Sequence, residues 1–210
     1  MATITNYANL QTTIADFLNR DDLTSVIPTF IQLAEAQMNR DLRHWRMEVR
    51  ASGQQSSGDA YMQIPADWME TIRFHITDGG TYPLDLISRK ALEDKRAGTM
   101  NESGRPRYYT HADSQFELYP TPNATVNTEL LYFAKIPSLS DSNTTNWLLE
   151  DAPDVYLYGA LLHSAPYLAE DERVGVWAQM YSAAVSQLNN KSEMSRMSGS
   201  GLTVKIRGMG

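Results

Sequence analysis

The chain has 210 residues, 42 % of them hydrophobic and 20 % charged, which is enough apolar mass for a real core and excludes collagen-like, disordered and coiled-coil classes. A formal charge of −7 argues against a nucleic-acid-binding body, because phosphate binding needs a positive footprint. Cysteine is absent, so disulfides, thiolate nucleophiles and cysteine-based zinc sites are excluded.

The first predicted elements are two amphipathic helices. Tyr7, Leu10, Ile14, Phe17 and Leu18 recur at three- and four-residue steps, with Thr5 or Asn6 as the cap. After the breaker "NRDDLTS", Ile27, Phe30, Ile31, Ala34, Met38, Leu42 and Trp45 mark one side of a second helix, with Pro28 in its first turn. From about Arg46 the period changes to two. "MEVRAS", "AYMQIP", "ETIRFHIT", "TYPLDLI", "RYYTHA", "QFELYP" and "TELLYFAKI" are short, alternating and punctuated by turn residues, and they predict antiparallel strands. A helix from Ser88 to about Ala97 interrupts them. Helical period returns after Trp147. One helix shows two faces, Val155–Tyr158–Leu162–Ala165 and Leu157–Leu161–Leu168, and is kinked or ended by Pro166. The next starts near Asp171 and Glu172 and carries the stripe Val174, Trp177, Ala178, Tyr181, Val185 and Leu188. "SEMSRMSGSG" then has linker composition, and "LTVKIRG" closes with alternating Leu202, Val204 and Ile206 against Thr203, Lys205 and Arg207. A lone alternating segment cannot stabilise itself and needs a sheet edge, its own or a partner's.

The layout predicts an α+β fold. Residues 1–46 and 147–192 form a helical bundle, residues 47–146 an inserted antiparallel β-rich lobe, and residues 193–210 a flexible C-terminal arm. From Lys191 onward Lys191, Arg196, Lys205 and Arg207 stand against Glu193 alone, a net charge of +3 that leaves −10 for the rest. Such a tail suits an acidic docking surface. "MATITNYANL" has neither the basic start nor the apolar run of a secretory signal, and no stretch approaches the ~18 apolar residues of a membrane span. The expectation is a protein folded in the cytosol, with no membrane partner.

No motif carries catalysis. His44, His75, His111 and His163 form no ligand-spaced pair, and Walker, GxGxxG and GxSxG patterns are absent. "HADS" offers His111, Asp113 and Ser114 as neighbours, but triad members meet by folding, and Asp and Ser are turn residues. The acidic clusters at Asp21–Asp22, Glu150–Asp151–Asp154 and Glu170–Asp171–Glu172 flank helix starts and loops, where the macrodipole favours acids. No cofactor and no metal are expected. "RDLRHWRMEVR" is the densest basic run before the tail, and Arg43, Trp45 and Arg46 within it are residue types enriched at protein interfaces. Arg105, Arg107 and Tyr109 in "GRPRYYTHADSQFELYPTP" are the further interface candidates. Eleven Tyr, four Trp and ten Met without a cofactor motif point the same way.

The order of features resembles the head–tail adaptor (connector) proteins of tailed bacteriophages, in the short-tailed-phage-type group. The residues that carry the likeness are "FIQLAEAQMNRDLRHWRME", "IPADWME", "GRPRYYTHADSQFELYPTP", "LLYFAKIPSLSDSNTTNWLLEDAPDVYLYGALLHSAPYL" and "EDERVGVWAQMYSAAVSQL", together covering about residues 5 to 192. The resemblance implies a non-enzymatic virion protein at the head–tail junction, assembled in the host cytoplasm. It implies a twelve-fold ring of copies beneath the portal protein, contacts with tail or nozzle proteins, and passage of DNA through the lumen without sequence-specific binding. The arm that such adaptors extend to the portal would here be Leu202, Val204, Lys205, Ile206 and Arg207. Two other functions compete: a polymer hydrolase using carboxylates such as Asp113 and Glu117, and a host-surface-binding module using Trp68 or Tyr109.

Overall fold

The structure, a computed structural model, describes residues 3–20, 22–97, 102–168 and 172–197. Its contacts divide the chain into two units: residues 1–46 with 136–210, and residues 47–135.

The first unit is helical. Helix α1 spans Tyr7–Leu18, and the side chain of Asn6 accepts from the Asn9 N–H, satisfying one of the donors that a helix start leaves open. It ends on Asn19 in the left-handed region, φ 52°. Helix α2 (Ile27–Asp41) opens with proline in its first turn and buries Ile27, Phe30, Ile31, Ala34 and Met38. A short α4 (Trp147–Asp151) is capped by Asn146 and leads into α5 (Pro153–His163). Pro166 lies in a single 3₁₀ turn, Ala165–Tyr167, that follows the end of α5. Helix α6 runs Arg173–Met197, so residues 193–197 continue a helix and do not begin the arm.

Helix α5 is the centre of this unit and packs on α1, α2 and α6. It is buried on Val155, Tyr156, Leu157, Gly159, Ala160 and Leu161, nearly all round. The expected Val155–Tyr158–Leu162 face is its less buried side, Val155 excepted. Gly159 is where α5 comes closest to its neighbours. A Cβ there would stand 3.1 Å from Met38 Cε, 3.2 Å from Ala34 Cβ and 3.3 Å from the Tyr181 ring.

The second unit holds two four-stranded sheets. The strands are β1 (Glu48–Gln55), β2 (Tyr61–Gln63), β3 (Trp68–Ile76), β4 (Tyr82–Pro83), β5 (Asp85–Leu86), β6 (Tyr108–Ala112), β7 (Gln115–Tyr119) and β8 (Val126–Ala134), with α3 (Arg89–Ala97) between β5 and β6. One sheet has the order β1-β8-β3-β4, the other β2-β7-β6-β5. Their facing residues, among them Phe74, Ile76, Tyr109, Phe116, Leu118 and Leu130, form one core.

Two expectations are corrected here. "TYPLDLI" is not one strand. It divides around buried Leu84 into β4, which joins the first sheet, and β5, which pairs in parallel with β6 of the second. The β lobe also ends at Lys135, not at residue 146. The segment after it returns to the helical unit, where Ile136 N–H donates to Asn39 Oδ1 at 2.9 Å and Leu139 N–H to Glu35 Oε1 at 2.7 Å.

Candidate functional site

The basic run after α2 divides into inward and outward members. Arg43 Nη1 donates to the carbonyls of Asn39 (3.1 Å) and Leu42 (2.7 Å), so its guanidinium closes the C-terminus of α2. Asn189 of α6 grips the same turn, accepting from Arg43 N–H and donating to the Asp41 carbonyl. His44 is buried and stacks on Trp147, with ring centroids 5.2 Å apart. Burial pushes its pKa down, and its Nδ1 accepts from Arg46 N–H at 3.2 Å, which fits a neutral ring.

Trp45 and Arg46 face outward. Trp45 is 48 % exposed, while its N–H donates to Ser192 Oγ at 2.9 Å. The Arg46 guanidinium lies 6.0 Å from the Trp45 ring centroid and 5.7 Å from that of Trp147, and pairs with Asp151. Lys191 and Arg196 are close enough to bear on the His44 charge. The corner is therefore a ledge of exposed indole and cations held on a fixed backbone, the make-up of a protein-binding hot spot.

Beneath it lies a polar network that periodicity alone does not reveal. Tyr156, fully buried, donates to Glu35 Oε1 at 3.2 Å and accepts from Asn146 Nδ2 at 2.6 Å. Asn146 Nδ2 also reaches the Pro137 carbonyl, and Asn146 Oδ1 caps α4. Burial raises the pKa of Glu35, and burial beside Glu35 raises that of Tyr156. The network positions the 136–146 segment and α4, and so the Trp147 on which His44 rests. The one sequence signal is Glu35 itself, an acid inside the stripe Ile27–Ile31–Ala34–Met38.

In the β lobe the expected hairpin turns at Asp113, φ 56°, and Ser114, with Tyr108 opposite Tyr119. Tyr109 is corrected: it is a core residue, 4 % exposed, set edge-on against Phe74 and Phe116 at 5.2 and 5.4 Å. Strand alternation sends its ring between the sheets, so it is not available to a neighbour or to a host surface. Arg105 and Arg107 are exposed, Arg105 lying 3.5 Å from the Tyr82 ring centroid. Glu117 is 1 % exposed and is held by Arg96 (2.6 Å), the Tyr61 hydroxyl (3.2 Å) and Arg89 (3.5 Å). A carboxylate so enclosed is a structural anchor for α3, not the free acid or base of a two-carboxylate cleft. Glu129 plays the same part in the other sheet, with Arg50 Nε at 2.5 Å and His75 Nε2 at 3.3 Å.

An open groove of about 680 Å³ in this lobe is lined by Ala51, Met62, Ile64, Trp68, Leu130 and the hairpin residues His111, Asp113 and Ser114, among others. His111 is exposed and lies against Trp68, 5.2 Å between centroids, with Asp113 and Ser114 in a turn and not in a relay. Among the described residues no group of His, Cys, Asp and Glu is placed to hold a metal ion, and no helix is long and apolar enough to cross a membrane. The arm residues Leu202, Val204, Lys205, Ile206 and Arg207 lie outside the described residues.

Comparison with protein families decides the class. The family model described as SU10 adaptor protein matches residues 5–205. The chain belongs to the SU10 adaptor protein family. It is a phage head–tail adaptor, a structural protein of the virion, and the match runs from α1 through α6 and on to Lys205. No curated protein matches the chain.

Proposed function

We propose that this adaptor forms a closed, twelve-fold ring beneath the portal, joins capsid to tail components, and leaves a lumen through which DNA passes without sequence-specific binding. The observation that carries this is the family match, which covers both units and extends into the C-terminal segment. Adaptors act by association, and the residue types for it are exposed here: Trp45 with Arg46 on the helical unit, Arg105 and Arg107 on the β lobe. Within the ring the Trp45–Arg46 ledge contacts the neighbouring copy, and the basic pair Arg105 and Arg107 faces tail or nozzle proteins. Leu202, Val204, Lys205, Ile206 and Arg207 form the arm that docks on the portal, by strand addition or groove insertion. An acidic body suits a conduit, because like charge keeps DNA from adhering to the wall.

The test is co-sedimentation with portal rings. Deleting residues 198–210 spares α6, which ends at Met197, and is expected to abolish docking while the secondary structure stays unchanged by circular dichroism. A truncated chain that sediments with portal as well as the full one would refute the arm assignment.

A further inference from the structure

The groove of the β lobe is an unfinished part of the core. Ala51, Met62, Ile64 and Trp68 pack against the buried cluster and are each only half-buried. A concavity of about 680 Å³ is within the roughly 300–1,000 Å³ that binding clefts occupy. On one side lies β1, an edge strand that pairs only with β8 among the described strands. The lining holds Asp113 and neither Lys nor Arg. Asp67 adjoins it in sequence and accepts from the Tyr132 hydroxyl, whose pKa burial and that aspartate push up to about 12.

We propose that this groove receives the C-terminal segment Leu202–Arg207 of this adaptor. In an extended segment Leu202, Val204 and Ile206 share one face, over ~13 Å at about 3.3 Å per residue, and Lys205 points to the other side. The apolar face matches the half-buried lining of Ala51, Met62, Ile64 and Trp68, and Lys205 and Arg207 match Asp113, the charged side chain of that lining. Supply favours this occupant over a foreign strand. Every copy brings one such segment, so occupant and groove are supplied in equal number. An uncovered alternating strand also invites aggregation, so a protected site for it is an advantage before assembly. The inference rests on the reading that residues 202–207 are a docking arm and adds what holds the arm until the portal competes for it.

The absence of native cysteine permits a direct test on the full chain. Two double variants are oxidised without portal: Ser114→Cys with Thr203→Cys, placing one thiol on the groove rim, and Thr81→Cys with Thr203→Cys, placing it on an exposed part of the lobe outside the groove. The rim pair is expected to crosslink at least tenfold faster. A fast-migrating monomer identifies the groove of the same chain and a covalent dimer that of another copy, and both support the groove. Adding Val204→Asp is expected to slow the rim crosslink at least tenfold. Equal rates for the two pairs, or a rim rate untouched by Val204→Asp, overturns the inference. Portal co-sedimentation is a separate readout: docking that survives a failed crosslink leaves the arm reading standing and removes only the groove, and the reverse removes only the portal assignment.

Discussion

Replacing Tyr156 with phenylalanine isolates the buried polar network. The change keeps the ring and its packing and deletes one hydroxyl. That hydroxyl accepts from Asn146 Nδ2 at 2.6 Å and donates to Glu35 Oε1 at 3.2 Å. Glu35 keeps the Leu139 N–H at 2.7 Å, so the acceptor remains satisfied. Asn146 keeps the Pro137 carbonyl for one of its two amide hydrogens and loses the partner of the other. An orphaned buried donor costs about 1–3 kcal/mol. With a urea slope of about 2 kcal/mol per molar, the midpoint should fall by roughly 0.5–1.5 M. Tryptophan fluorescence is a suitable probe, since Trp45, Trp147 and Trp177 all belong to the helical unit and Trp68 alone to the β lobe. A change below about 0.5 kcal/mol would refute the network as an element that holds the 136–146 segment.

The remaining predictions concern charge, close packing and assembly. Burial raises the pKa of Glu35, so the folded chain keeps that proton at pH values where the unfolded chain has lost it, and ionised Glu35 costs stability above the ordinary glutamate range. Wild type should therefore gain on Glu35→Gln as pH falls from about 7.5 toward about 4.5, and a stability difference that is flat with pH would contradict the assignment. Gly159→Val should destabilise by about 1–3 kcal/mol, because Ala34 and Met38 already stand 3.2 and 3.1 Å from where a Cβ would be; an unchanged urea midpoint would show that the helices part freely. Trp45→Ala should leave the monomer's unfolding within about 1 kcal/mol yet weaken self-association by about 2 kcal/mol, roughly thirtyfold, in sedimentation velocity. Unaltered association would remove the ledge from the subunit interface.

Local rules made much of the frame legible. A cap at Thr5 or Asn6, of which the structure uses Asn6, proline in the first turn of α2 and the stripe Trp177–Tyr181–Val185 follow from the sequence, and so does a hairpin turning near Asp113 and Ser114. What was not legible depends on contacts distant in sequence. The 136–146 segment has no period, and it belongs to the helical unit because Asn39 and Glu35, about a hundred residues earlier, accept from its backbone. The polar "SEMSRM" reads as linker, yet α6 continues through it, with Ser192 wholly buried and accepting from Trp45 N–H. Helix α5 is apolar on nearly every side, so periodicity had no contrast from which to pick Tyr156. At the candidate interface, composition singled out Trp45 and Arg46. It could not tell Arg43, spent on closing α2, from a surface arginine, nor Tyr109, committed to the core, from an exposed tyrosine. A one-residue change of parity decides the second case, and only the register with β7 fixes it.

The central claim is that copies of this chain close into a ring on the portal. Negative-stain imaging of the purified full chain mixed with portal rings tests it most directly. The account predicts an added ring of density, coaxial with the portal, with an open lumen and twelve-fold end-on symmetry. Portal particles that remain bare in the presence of excess adaptor would contradict it.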